Sequence, residues 1–360
     1  MKRIYNFNAG PSAMPLEALK AAQEEMLDYK GTGISVLEMS HRSKDYDAIH
    51  AEVKALIKKH LQLPDNFKIL FLGGGASLQF AMLPMNFLAQ GQTADYILTG
   101  SWSQKAAAAA KLFGDVNVAV SSGEANFTYI PTPDQIKISP NSQYVHITTN
   151  NTIFGTQWSY LPETGNTPLV VDMSSDILSR QIDVSKASFI YAGAQKNLGP
   201  AGVTLVIIRD DFAAKQKQGL PKILSYSTYI KDDSLYNTPP VYPIYLTMLT
   251  MRWIDSIGGM AEISNRNNRK KELIYGAIDN SNGYYKGTVR TDSRSAMNVT
   301  IRMATEELEA KFIAEAKTAG FIGLKGHRSV GGLRASMYNA VSIEAVEKLV
   351  EFMRDFQKKN

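Results

Sequence analysis

From residue 68 to residue 208 the chain repeats one pattern: short apolar runs at 68–72, 96–99, 116–120, 144–148, 169–171, 189–191 and 203–208, several of them separated by stretches of helical spacing. Apolar runs without polar alternation belong to strands covered on both faces, and strands alternating with helices build a mostly parallel sheet flanked by helices. The expected fold class is therefore α/β. The clearest intervening helix spans 102–113, where five consecutive alanines, 106–110, combine strong helix propensity with small volume. Another is expected at 77–88. Ahead of the pattern, Pro15 suits a first helical turn, and Leu16, Leu19, Met26 and Leu27 follow at helical spacing, which predicts a helix over 15–29. A second follows Asp45, with Ile49, Val53, Leu56, Ile57 and Leu61 on one stripe, and stops before Pro64.

The texture changes near Ile257. Gly258 and Gly259 punctuate a long helical pattern, and the basic polar stretch 265–271 reads as the solvated face of a helix. Val299, Ile301 and Met303 then alternate with Asn298, Thr300 and Arg302, the period-two mark of a half-buried strand. Helices around 308–319 and 345–356 complete a smaller α/β unit. The expected division is a large domain over 16–257 and a small C-terminal domain over 258–360, with 1–15 as an N-terminal segment packed at the domain or active-site region.

Composition narrows the chemistry. The absence of cysteine excludes a thiolate nucleophile, a cysteine-ligated metal and a disulfide scaffold. The net charge of +5 is spread along the chain, which suits small anionic ligands and gives no argument for nucleic acid. No apolar run approaches the ~18 residues of a membrane span, and the residues after Lys2 and Arg3 form no apolar signal core. A cytoplasmic protein without a membrane partner is expected.

Three features could carry chemistry. Gly73-Gly74-Gly75-Ala76-Ser77 lies between a strand and a helix, where exposed backbone N–H groups at a positive helix end suit a phosphate, although neither a dinucleotide nor a P-loop motif is present. Lys196, among small residues between two apolar strands, offers an amine in a partly desolvated pocket that could form a Schiff base with a carbonyl cofactor. Asp172 ends the strand Leu169-Val170-Val171 and points into the crevice where open α/β sheets bind ligands. Amine, carboxylate and phosphate cradle together are three of the parts that pyridoxal phosphate requires. Trp102 adds a flat apolar face that could stack on its ring. Two His-Arg pairs, His41-Arg42 and His327-Arg328, with Arg334 nearby in sequence to the second, supply what a small dianionic substrate needs. His50, His60 and His146 have no spacing that makes a metal site, and no serine-hydrolase elbow is present.

These residues resemble a family: the phosphoserine aminotransferases, within the class V, fold-type I pyridoxal-phosphate aminotransferases. The resemblance runs over nearly the whole chain, through Phe7-Asn8-Ala9-Gly10-Pro11-Ser12, Met39-Ser40-His41-Arg42-Ser43, Gly73-Gly74-Gly75-Ala76-Ser77, Thr99-Gly100-Ser101-Trp102-Ser103, Asp172-Met173-Ser174-Ser175-Asp176, Tyr191-Ala192-Gly193-Ala194-Gln195-Lys196-Asn197 and Gly326-His327-Arg328. It implies that Lys196 bonds the cofactor aldehyde, that Asp172 pairs with the pyridine nitrogen and that Trp102 stacks on the ring. Ala76, Ser77, Thr152 and Gln195 would complete the cofactor pocket, and Asn237 and Thr238 would reach the cofactor phosphate of a second subunit, which implies a homodimer. His41, Arg42, His327 and Arg328 would hold the substrate phosphate or distal carboxylate, and Arg334 the α-carboxylate. The implied reaction is reversible transamination of O-phospho-L-serine with 2-oxoglutarate, in serine biosynthesis, with 4-phosphohydroxythreonine of pyridoxine biosynthesis as a further candidate substrate. Some members carry Arg where this chain has Ser77, so one cationic contact is missing. The alternatives are another class V aminotransferase acting on alanine, serine or glyoxylate, and a noncatalytic phosphate-ligand binding protein.

Overall fold

The computed structural model describes residues 3–360. Its largest sheet has seven strands in the order Phe67–Leu72, Thr204–Arg209, Phe189–Gly193, Leu169–Asp172, Val145–Thr148, Thr93–Leu98, Asp115–Ser121. Thr204–Arg209 runs antiparallel to both of its neighbours, and the remaining pairings are parallel. This is the mostly parallel α/β sheet expected from the apolar runs.

Alternate residues of each strand feed two different cores, as the two-residue period of a strand requires. Ile69, Phe71, Ile147, Val171, Ile190 and Ile207 pack into one core with the helices Leu16–Glu24, Lys44–Leu61 and Val241–Ser256. Leu70, Leu72, Tyr96, Val170, Phe189 and Val206 pack into the other, under the helices Gly75–Phe87 and Ser101–Ala110. Ala106, Ala107 and Ala110 are buried there, so the alanine run is a close-packing face. A third core gathers Ile274, Val299, Ile301, Phe312, Leu333, Val346, Leu349 and Phe356 around a three-stranded antiparallel sheet. The helix Gly259–Asp279 begins against the first core through Met260 and Ile263 and ends in the third through Ile274 and Ile278.

Three local expectations are corrected. The first helix ends at Glu24 rather than near residue 29, and Leu27, placed on its apolar stripe, is 85% exposed. Left-handed Lys30, Gly31 and Gly33 turn the chain immediately afterwards. The stretch 265–271 is only partly solvated: Asn265 and Arg269 face water, but Asn267 and Lys270 are buried. The Lys270 ammonium donates to the carbonyls of Met337, Tyr338 and Val341 at 2.9, 2.9 and 3.0 Å, which replaces its hydration. Finally, Asn298–Arg302 is not half-buried, since Asn298 and Thr300 are also inside. Asn298 Nδ2 donates to Ser336 Oγ at 2.9 Å while its Oδ1 accepts from Asn150 Nδ2 at 2.7 Å, tying the small sheet to the two-stranded pairing of Asn150–Asn151 with Thr156–Gln157 through satisfied polar contacts.

Candidate active site

The carboxyl ends of the parallel strands open into a cavity of about 330 Å³. Asp172, two residues beyond Val170, lies on the same side of the sheet as the helices Gly75–Phe87 and Ser101–Ala110. It is buried, and Ser174 donates its backbone N–H to Oδ1 at 2.9 Å. Burial raises its carboxyl above the usual range, opposed by the hydrogen bonds from Ser174 and by the charge of Lys196.

Lys196 follows the strand Phe189–Gly193 on a turn and points into the same cavity. Its Nζ donates to Thr152 Oγ1 at 3.1 Å, and burial lowers its pKa to about 8 despite the opposing pull of Asp172. An amine so placed has a larger neutral fraction near physiological pH than an ordinary lysine, and the neutral amine is the form that attacks a carbonyl. The turn is held from the N-terminal segment: Ser12 Oγ donates to the Lys196 carbonyl at 2.6 Å and Ser12 N–H to that of Gln195 at 3.0 Å. The Gln195 side chain folds back over Gly193, where a Cβ would meet its Oε1 at 2.7 Å, so a larger residue there would push the Gln195 amide aside.

On the opposite rim the helix Gly75–Phe87 starts after left-handed Gly74 with no side-chain cap, leaving its first N–H groups available, and Gly75, Ala76 and Ser77 line the cavity. The Trp102 ring lines it too, with Nε1 buried and unpartnered and Lys196 Nζ 5.9 Å from the ring centroid. Arg334 and His327 close the remaining side. Arg334 Nη1 donates to the Thr152 carbonyl at 3.3 Å, whereas its Nε has no partner. Burial lowers the Arg334 pKa, and burial together with the charges of Arg334, Arg328 and Lys105 lowers that of His327.

The cavity thus brings together Ala76, Ser77, Trp102, Thr152, Asp172, Gln195, Lys196, His327 and Arg334. It does not include His41, Arg42, Arg328, Asn237 or Thr238; of these His41 is half-buried and the other four are exposed. Sequence reasoning missed Phe80, Thr148, Asn150 and Ile153, which also line it. The polar run Thr148-Thr149-Asn150-Asn151-Thr152 directly after a buried strand was the available signal, because polar residues at a carboxyl strand end face the ligand crevice.

The model of the aminotransferase class-V family matches residues 4–349. The chain belongs to the class-V aminotransferases. Among class-V relatives, the phosphoserine aminotransferase of Lysinibacillus sphaericus (strain C3-41) is 55% identical over 359 residues, covering 100% of this chain and 99% of its own length. That of Bacillus subtilis (strain 168) is 53% identical over 360 residues and covers both chains completely, at 100% each. The solved phosphoserine aminotransferase from Bacillus circulans subsp. alkalophilus superposes with a TM-score of 0.98 at 52% identity, covering 100% of this chain and 99% of that one. As a class-V aminotransferase the chain is a pyridoxal-phosphate-dependent transaminase. Its cavity fits that cofactor on its own chemistry: an amine of lowered pKa, a buried carboxylate lacking a cation, uncapped helical N–H groups and an indole face all border one space.

Proposed function

We propose that this enzyme transaminates O-phospho-L-serine with 2-oxoglutarate, giving 3-phosphooxypyruvate and L-glutamate, as a cytoplasmic homodimer. The observation that supports it most is the cavity that Lys196 and Asp172 share with His327 and Arg334, because it pairs an amine-transfer centre with a guanidinium and an imidazole that can hydrogen-bond an anionic substrate. The printed names of relatives at 53–55% identity over the whole chain agree with this reading.

Pyridoxal phosphate, when bound, supplies an aldehyde carbon and a conjugated ring that takes up the electron pair left by the departing α-proton. Asp172 holds a proton at the pyridine nitrogen, and the cation so placed offsets the burial that raises the carboxyl's own pKa. Lys196 would bind the cofactor aldehyde through Nζ, and as a free amine it would take the proton from the substrate α-carbon as base and return it as acid to the carbon that had carried the cofactor's aldehyde. The N–H groups of Gly75, Ala76 and Ser77 hold the cofactor phosphate, Thr152 and Gln195 complete the pocket, and Trp102 keeps water from the ring face. Arg334 grips the α-carboxylate with its free guanidinium edge. His327 and Arg328, with His41 and Arg42, hold the phosphate or distal carboxylate. Asn237 and Thr238 lie away from the cavity of their own chain, which agrees with a role toward the cofactor phosphate of a second subunit. The separate core of the C-terminal residues supports a division into 16–257 and 258–360, across which Met260 and Ile263 of the helix Gly259–Asp279 still pack into the first core.

The test is a visible spectrum of the purified holoenzyme followed by titration with phosphoserine. The expected outcome is a yellow protein whose band converts to that of the cofactor's amine form, and recovers on addition of 2-oxoglutarate. A band that responds to alanine and not to phosphoserine overturns the substrate assignment in favour of a small uncharged amino acid.

A further inference from the structure

His327 stands on the loop 326–332, and the structure shows what fixes that loop from behind. Gly326 donates its N–H to the Gly332 carbonyl at 2.8 Å, while Val330 and Gly331 both donate to the His327 carbonyl, at 3.0 and 2.9 Å, so the loop is closed on itself by its own backbone. Its outer side rests on Arg302. Arg302 Nη1 donates to the Val330 carbonyl at 3.1 Å, and Nε donates to Glu309 Oε1 at 2.7 Å. Glu309 is itself buried and also accepts the Met303 N–H at 3.0 Å, which leaves it little freedom. No side chain separates loop from strut. A Cβ at Gly332 would lie 2.7 Å from Arg302 Cδ and 2.5 Å from the Ile301 carbonyl, and both Gly331 and Gly332 hold positive φ, at 69° and 70°.

We propose that Arg302, clamped by Glu309, is a positioning residue that sets the loop 326–332 against the cavity, and through His327 and Arg328 sets the preference for substrates with a second anionic group. This rests on the substrate reading given under Proposed function. Arg302 is reached by none of the cavity's lining and acts only through the Val330 carbonyl and the backbone of the glycine pair. A bidentate guanidinium is suited to the task, since it joins a carboxylate to a carbonyl in one plane, which an ammonium cannot do.

The test compares the Arg302→Met, Arg302→Lys and doubly substituted Arg302→Met/Glu309→Gln holoenzymes with the wild type. The double variant matters because Arg302→Met alone leaves a buried carboxylate short of its cation, and that lowers stability for reasons unrelated to the loop. Both methionine variants are expected to raise KM for phosphoserine about tenfold with kcat within about twofold, and to leave kcat/KM for L-alanine unchanged, with Arg302→Lys between them and the wild type. Amide exchange at Gly326, Val330 and Gly331 is expected to quicken at least about tenfold in the methionine variants. Equal losses for phosphoserine and alanine, or an unchanged KM, overturn the selectivity role. Unchanged amide exchange overturns the strut itself, whatever the substrate. Failure of the wild type to turn over phosphoserine strikes the substrate reading instead, and the exchange measurement still decides whether Arg302 holds the loop.

Discussion

At the scale of single residues, the Lys196 amine governs what can be measured. With a pKa near 8, its neutral fraction rises about tenfold between pH 7 and pH 9, so the rate at which apoprotein takes up pyridoxal phosphate should rise by about that factor and level off above. Stopped-flow absorbance checks this; a flat profile contradicts a buried, depressed amine. The sign for stability is the same. Because the folded pKa lies below the unfolded one, the unfolded chain binds more protons between pH 8 and about pH 10.5, and stability gains with pH over that window. Lys196→Ala should lower turnover more than about a hundredfold while cofactor still binds noncovalently, as equilibrium dialysis would show. Arg42→Ala and Arg328→Ala should each raise KM for phosphoserine by tenfold or more, about 1.5–3 kcal/mol for a lost charge-assisted hydrogen bond, and affect alanine far less. Lys196 and Asp172 were legible in the sequence because each is an ionisable residue in an apolar setting, which chemistry must explain. Phe80 was not, since an aromatic residue in a helix looks the same inside and outside a site, whereas Asn150 lay in a polar run at a strand end whose position carried the signal.

Among the elements, the start of the helix Gly75–Phe87 is the most constrained. Gly74 has φ of 81°, and a Cβ there would lie 2.7 Å from both Cβ and Cδ2 of Leu78. Gly74→Ala should therefore destabilise the fold by more than about 1 kcal/mol and weaken cofactor retention together with it, read from the urea midpoint and from the cofactor's dissociation constant. Strands were the most readable elements, because burial on both faces writes an uninterrupted apolar run. The helix Lys44–Leu61 was readable too, from the stripe Ile49, Val53, Leu56, Ile57 and Leu61 and from Pro64 beyond it; the structure adds that Ser43 caps it through the Tyr46 N–H at 3.2 Å and that left-handed Gln62 ends it. The first helix was overextended in the sequence reading for a physical reason: periodicity counts Leu27 as buried wherever it points, and only the turn at 30–33 shows that it faces water.

For the whole molecule, buried polar contacts between segments far apart in sequence hold the elements together, and they were the part the sequence hid. Lys270 reads as one more charge in a basic stretch until the carbonyls of Met337, Tyr338 and Val341, some seventy residues away, converge on it. Lys270→Met should cost about 2 kcal/mol or more, because the buried carbonyls of Met337 and Val341 lose their donor and that of Tyr338 keeps only the Val341 N–H, and the thermal midpoint should fall accordingly. An unchanged midpoint would mean that water replaces the ammonium. The N-terminal segment has a parallel reach. Tyr5 pairs with Phe321 in the small unit, Ala9 accepts from Tyr338, and Ser12 is bonded to the backbone of Lys196 itself. An affinity tag or truncation placed just ahead of Tyr5 thus pulls on the segment that holds the backbone of the reactive lysine, whereas the exposed helix end at Lys359 offers a fusion point away from that segment.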